Sequence, residues 1–480
     1  MRFVPKRVQF VPIAALAVIL GMAAGPAGAA GTAVRDAGTA TSTSTNDDWP
    51  MFGHDPLHSE LSPDARLSAG SAPTLAQEWS VNVSGTSGNL PISASPVVVY
   101  NSALGEPVVY AVHGTLDAID GTPGRPPTMI WSEPIAGRSL TTPAVYNGTV
   151  YVGSTAGFVE ALDATTGAVE CTFHLPVVAP ETVPGHVLSS PVVGQVNASG
   201  PMVFFGDVGE SEQVNAGHEW AITGVGNTAG GCQEVWSFNG FTHKGPTGTR
   251  GGSWSEPGLV QDSQGKWLLV FGSSDPDDAI YALNARTGTK VWRFQTTITH
   301  ADQDVGAGPT ISPPGTNGLA DGVVYEEGKD HILYALDLLT GQQSWSFNFT
   351  AANGVATNAV SVAALKGNVV YEAEGGYLYA FSAVTGALKW HTSPQIGVIL
   401  GSPTVSGPDG GHVVFIGDLN GDFVAFSAQN GAVLWSTTLT TGPDMADSAI
   451  SYGVVYTNSG PDLYAFTPSS PTASGSTGTS

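Results

Sequence analysis

"IYALNARTGTKVW" at 280–292 decides the fold, because it recurs. "LYALDLLTGQQSW" (333–345), "LYAFSAVTGALKW" (378–390) and "FVAFSAQNGAVLW" (423–435) follow the same template. "VEALDATTGAVEC" (159–171) follows it too, with Cys171 where the others have tryptophan. In each copy the alanine and the last residue stand ten apart, as Ala282 and Trp292 do. Looser copies, with lengthened turns, end at Trp131 and Trp236. Apolar and polar residues alternate in both arms, as in half-buried strands, and the Thr-Gly or Asn-Gly between them supplies a tight reversal.

Two further strands precede each unit, as in "SPTVSGPDGGHVVFIGDLNGDFVAFSA" (402–428). Each copy is therefore four antiparallel strands, and successive unit ends lie 40 to 65 residues apart. Four-stranded units at that period predict a β-propeller, with each indole wedged between neighbouring sheets. Seven unit ends run from Trp131 to Trp435. The last copy, "SAISYGVVYTNSGPDLYAF" (448–466), stops after its third strand, while "LAQEWSVNV" (75–83) offers a lone outer strand carrying Trp79. Joined, they give an eighth blade and leave no long open edge. The predicted fold is all-β: an eight-bladed β-propeller of four-stranded antiparallel blades, closed by an N-terminal outer strand.

Composition agrees. Apolar residues make up 41% and charged residues 12%, with 62 Gly and 33 Pro, too apolar for disorder and too rich in turn formers for helix. The formal charge of −24 argues against a nucleic-acid groove, which needs clustered Lys and Arg. Arg2, Lys6 and Arg7, the apolar "FVPIAALAVILGMAA" and the small "AGAA" form a secretory signal with cleavage expected near Ala29. No later apolar run is long enough to span a membrane, so a secreted, soluble chain is expected. The expected organisation is signal peptide 1–29, disordered linker 30–47, propeller 48–467 and disordered low-complexity tail 468–480. Cys171 and Cys232 allow one disulfide, and the sequence leaves their pairing open.

"DWPMFGHDPLHS" (48–59) places His54 and His58 four apart around Asp55, which suggests metal ligands. Pro56 between them opposes a regular helical turn, and no third ligand stands nearby. The stretch reads better as the lead-in that carries Trp79 to the last blade.

With its "YALxAxTGxxxW" repeat and this Trp-Pro lead-in, the chain resembles the pyrroloquinoline-quinone (PQQ) repeat propellers, which include quinoprotein alcohol dehydrogenases and polyvinyl-alcohol dehydrogenases. The resemblance spans about Trp49 to Phe466. "GGSWSEPGL" resembles the segment whose tryptophan forms the floor beneath the quinone, here Trp254. "EEGKDHILYALD" resembles the strand whose lysine contacts the quinone carbonyls, here Lys329. "FFGDVGESEQVNAGHEWAI" resembles the segment bearing a calcium-binding glutamate, here Glu212. "FGSSDPDDAIYAL" places Asp275 where an asparagine ligand is usual, and Asp278 where the resemblance implies the third calcium ligand and catalytic base. "ITHADQDVGAGP" resembles a following acidic segment, with Asp302 and Asp304. The implied cofactors are PQQ and calcium. The implied reaction moves hydride from a small or polymeric alcohol to the quinone, while a carboxylate takes the alcohol proton.

The departures point elsewhere. The family's adjacent cysteine pair has no counterpart, and Asp275 puts a charge where a neutral ligand is usual. Without CxxCH the chain carries no c-type haem of its own, so an enzyme would need a separate electron acceptor. The alternative is a non-catalytic propeller that binds proteins or cell-wall polymers through its rims.

Overall fold

The computed structural model describes residues 47–469, apart from 84–93, 178–182, 210–216, 242–250, 299–302, 317–318, 355–360, 394–396, 408–410 and 440–445. The expected leader, nearly all of the expected linker and tail, and the residues Glu212 and Asp302 lie outside the described residues. No described helix is long and apolar enough to cross a membrane.

Eight four-stranded antiparallel sheets follow one another along the chain. Blades 1 to 7 span 97–134, 144–174, 192–238, 258–295, 310–348, 364–391 and 404–438. Blade 3 carries an added short strand, His186–Val187. Blade 8 consists of Ala449–Ser451, Val454–Ser459 and Asp462–Pro468, completed by Leu75–Asn82 from the other end of the chain. In that last pair Trp79 stands opposite Ala465. The closure expected from the sequence is the one found.

The ten-residue spacing of the template has a structural cause. Each alanine pairs directly with the unit's last residue, for example Ala282 with Trp292 and Ala161 with Cys171, and the register shifts just after the alanine. Such a bulge twists the outer strand. Each indole thereby reaches the following blade. Trp131, Trp236, Trp292 and Trp345 donate their indole N–H to Ala164 O, Ala285 O, Leu338 O and Ala383 O, at 2.8–3.2 Å. Beneath each ring lies the turn glycine of that next blade. A methyl group on Gly167, Gly288, Gly341, Gly386 or Gly431 would sit 2.6–2.8 Å from the ring of Trp131, Trp236, Trp292, Trp345 or Trp390. The template's Thr-Gly or Asn-Gly therefore does two things: it turns the chain at positive φ, and it leaves room for an indole.

Blade 2 departs from this plan. Its wedge position holds Cys171, which forms a disulfide with Cys232 in blade 3, with Cα atoms 5.9 Å apart. The pairing that the sequence left open is made.

The lead-in does more than carry Trp79 to the last blade. Trp49 and Val98 exchange backbone hydrogen bonds, and the carbonyls of Pro50, Pro56, Leu57, Ser59 and Glu60 accept from Val145, Leu259, Ile311, Leu365 and Val405. Ser62 Oγ donates to Ile450 O. These partners belong to the inner strands, or directly adjoin them, of blades 1, 2, 4, 5, 6, 7 and 8, so one short segment binds seven blades along the axis. Left-handed backbone at Gly53, His54, His58 and Glu60 bends the segment around that circle. His58 is buried against Pro309 O, and burial lowers its pKa to about 4, while His54 contacts Asp55. Among the described residues no group of three His, Cys, Asp or Glu is gathered to hold a metal.

Candidate functional site

In a four-stranded antiparallel blade, the turn from second to third strand and the passage from outer strand to the next inner strand fall at the same rim. Trp254 precedes the inner strand of blade 4, and Asp275–Asp278 lie in that blade's second-to-third turn. Asp304 precedes the inner strand of blade 5, and Lys329 lies in its second-to-third turn. The topology therefore brings all of them to one rim of two adjacent blades.

Side-chain contacts join them. Lys329 Nζ lies 2.6 Å from Asp304 Oδ2 and 5.4 Å from the centroid of the Trp254 ring. The other Asp304 oxygen accepts the backbone N–H of Asp275 at 2.6 Å, and Lys329 N donates to the Asp304 carbonyl at 3.1 Å. Asp304 thus ties the two turns together and aims the ammonium over the indole, a cation–π arrangement. Trp254 is half-buried. Its ring rests on Gly306, where a methyl group would stand only 2.0 Å from the indole.

The aspartates of the 275–278 turn have different environments. Asp277 is fully buried and accepts from Ser273 Oγ (2.9 Å), Tyr281 OH (2.7 Å) and Arg293 Nη2 (3.1 Å), which makes it an anchor for the turn. Asp278 holds its place through its backbone carbonyl, which accepts from Gln295 Nε2 at 2.8 Å and Thr296 Oγ1 at 2.6 Å. Its Oδ1 is buried with no hydrogen-bond partner. Burial, then the charges of Asp275, Asp304 and Asp277, push this carboxyl up to about 7, against the pull of Lys329.

The rim thus unites Asp278, Asp275, Trp254 and Lys329 as named from the sequence, whereas Glu212 lies outside the described residues. Asp304 is the residue whose importance the sequence understated. Its available signal was its place in "DQDVGAGP", two residues before the glycine on which Trp254 lies. The donor set fits a planar quinone, through a half-buried indole with an ammonium above it. It also fits a hard cation, because Asp278 Oδ1 is an oxygen donor without a partner among like charges.

A family of PQQ-type repeats described as "Outer membrane protein assembly factor BamB" matches residues 61–205 and 233–470. The chain belongs to this family of PQQ-repeat propellers. A curated relative, the quinohemoprotein alcohol dehydrogenase of Comamonas testosteroni, is 30% identical over 120 residues, which cover 23% of this chain and 16% of that protein. A europium-containing methanol dehydrogenase superposes with a TM-score of 0.70 at 15% identity, over 88% of this chain and 98% of the other. The structure of the Comamonas enzyme gives 0.67 at 19% identity, over 88% and 81%. BamB from Moraxella catarrhalis gives 0.54 at 15% identity, over 82% and 97%. At these identities the likeness of the solved structures is one of fold.

Proposed function

We propose that the rim of blades 4 and 5 binds a PQQ-type quinone with a calcium-class cation and that an alcohol is oxidised there. The observation carrying this reading is the half-buried Trp254 with Lys329 held over it by Asp304, beside an Asp278 carboxylate oxygen that is buried and unpartnered. When bound, the quinone supplies the hydride acceptor and the cation supplies electrophilic polarisation. Trp254 provides a flat apolar surface for a planar ring, and Gly306 lets the indole lie close to the backbone. Lys329 presents a positive charge to oxygens that become negative, and Asp304 fixes where that charge stands. Asp278, unpaired and close to the other carboxylates, is placed to take the alcohol proton at its free oxygen. Glu212 and Asp275, as the resemblance implies, would supply further ligands to the cation; electrons would leave through a separate acceptor, and the alcohol would be small or polymeric. The chain is exported and cleaved near Ala29, a reading favoured by the Cys171–Cys232 disulfide, since such bonds persist in oxidising compartments.

A second reading is a non-catalytic propeller that binds proteins or cell-wall polymers. It is favoured by the description of the matching family and by the Cys171–Cys232 bond, which commits both cysteines to a blade junction. The positive charge acting on Asp278 is that of Lys329, a small complement for a cofactor rich in carboxylates.

Titration of the purified protein with PQQ and calcium, read by cofactor absorbance and tryptophan fluorescence, separates the two. The enzyme reading expects saturable binding that Trp254→Ala removes. It also expects Asp278→Asn to keep binding while alcohol-dependent dye reduction falls by about 100-fold or more. Absence of binding at micromolar cofactor overturns the enzyme reading, and unchanged turnover removes Asp278 from the role of base.

A further inference from the structure

Equivalent positions at the entries to the inner strands form two hydrogen-bonded runs around the axis, one from blade 1 to blade 4 and one from blade 6 back to blade 1. Ser95 N donates to Thr142 Oγ1 and Thr142 N to Ser190 Oγ, both at 2.9 Å. Ser190 in turn bonds the Glu256 carboxylate, its Oγ donating to Oε1 at 3.4 Å. Farther round, Val362 N donates to Ser402 Oγ (2.9 Å), Ser402 N to Asp447 Oδ1 (2.5 Å), and Asp447 N back to Ser95 Oγ (3.0 Å). Most of these positions need only a hydroxyl acceptor. Blades 4 and 8 carry carboxyls instead, Glu256 and Asp447.

A third carboxyl, from the lead-in, lies within electrostatic reach of these two. Glu60 is fully buried and neither of its carboxylate oxygens has a hydrogen-bond partner, and Asp447 Oδ2 also lacks one. The charges acting on Glu60 are those of Asp447, Asp55 and Glu256, all negative. Asp55 stays ionised despite burial because His54, Ser59 and the Leu57 N–H favour its charge. His58, packed beside Gly308 and Glu256, is kept neutral by burial. Thr404, a hydroxyl beside Glu60, donates to Ser448 O. Glu60 is thus buried with no donor to either oxygen and with only carboxylate charges acting on it, whereas Asp447 accepts the Ser402 N–H and Glu256 the Ser190 hydroxyl.

We propose that Glu60, with Glu256 and Asp447, forms a proton-held latch: the protons these carboxyls hold let the lead-in lie against the axis, and their loss loosens it. Burial raises all three, and the charges of neighbouring carboxylates add to it at Glu60 and at Glu256, which is pushed up to about 8; at Asp447 the bonds from Ser402 and Ser95 oppose the rise. A carboxyl that holds its proton more tightly folded than unfolded contributes stability at low pH. That stability is lost as pH rises from the unfolded value, near 4.5, through the folded one. The latch is therefore closed in acid and strained in alkali, the reverse of ordinary acid denaturation. It is independent of whether the rim binds a quinone.

Amide hydrogen exchange tests it locally, at Leu365 and Val405, whose N–H groups donate to the lead-in carbonyls of Ser59 and Glu60. Between pH 5 and 8.5 the wild type should lose protection there beyond the intrinsic pH effect. Glu60→Gln, which keeps the shape of the protonated acid, should retain it. The variant's melting midpoint should match the wild type at pH 5 and exceed it at pH 8.5 by about 2–4 °C. Glu256→Gln is the second variant should Glu60→Gln fail to fold, with the same expectation. Equal pH slopes in wild type and variant overturn the proposal. So does a chelator that lowers the wild-type midpoint but not that of Glu60→Gln, since a cation, not protons, would then hold the carboxyls together.

Discussion

Two kinds of junction hold neighbouring blades together at their outer strands. At the junction of blades 4 and 5, Trp292 covers Gly341 and donates to Leu338 O. At the junction of blades 2 and 3, Cys171 occupies the place of the indole and is bonded to Cys232 across the gap. There a methyl group on Gly231 would stand 2.9 Å from Cys171 Sγ, so the same close approach survives with sulfur in place of the ring. The position specifies contact with the next blade's turn, and either a large apolar surface or a covalent bond satisfies it. A tryptophan junction acts by burying area in the native state. The disulfide acts mainly by restricting the unfolded chain.

Three variants break or sharpen this contrast. The largest effect is expected from Trp292→Ala, which empties a buried slot and strands the Leu338 carbonyl. Chemical denaturation should show a loss of about 3–5 kcal/mol. Next comes removal of the disulfide by Cys171→Ser with Cys232→Ser, expected to cost about 2–4 kcal/mol. Reductant should reproduce that loss in the wild type and leave the double variant unchanged. The smallest effect is expected from Cys171→Trp with Cys232→Gly, which builds the common junction in the uncommon place. If the two solutions are equivalent, stability should stay within about 1.5 kcal/mol of wild type, as for well-matched core exchanges, and sensitivity to reductant should disappear. A much larger loss would show that blade 3's lengthened turn has no room for an indole.

The sequence revealed the blades because their contacts are local and repeated. The template's alanine, turn glycine and wedge lie within one hairpin, so their spacing reports their pairing. Closure by Trp79 was legible for the same reason, as a strand missing at one end and spare at the other. What was hidden depends on partners distant along the chain. Cys232 stands outside the template, so nothing local paired it with Cys171. His54 and His58 looked like ligands because their spacing was visible, whereas the hydrogen bonds their segment makes to seven blades were not. At the rim, the Asp275–Asp278 run gave no sign that Asp277 would be satisfied by Ser273, Tyr281 and Arg293 while Asp278 would not. Those donors come from three different places in blade 4.

The closing strand also sets an order of events. Leu75–Asn82 leaves the ribosome before the first seven blades are made, and its partner, Asp462–Pro468, after them all. Seven blades can form as they emerge, each from a continuous piece of chain, while the strand that completes the circle waits for them all. Pairings so distant in sequence are slow to form. Until then the lead-in has no finished axis to line, and the outer edge of blade 8 is bare. A nascent chain interrupted anywhere before Asp462 is thus left with an open ring, and its unpaired Leu75–Asn82 segment marks it to a protease or a quality-control factor.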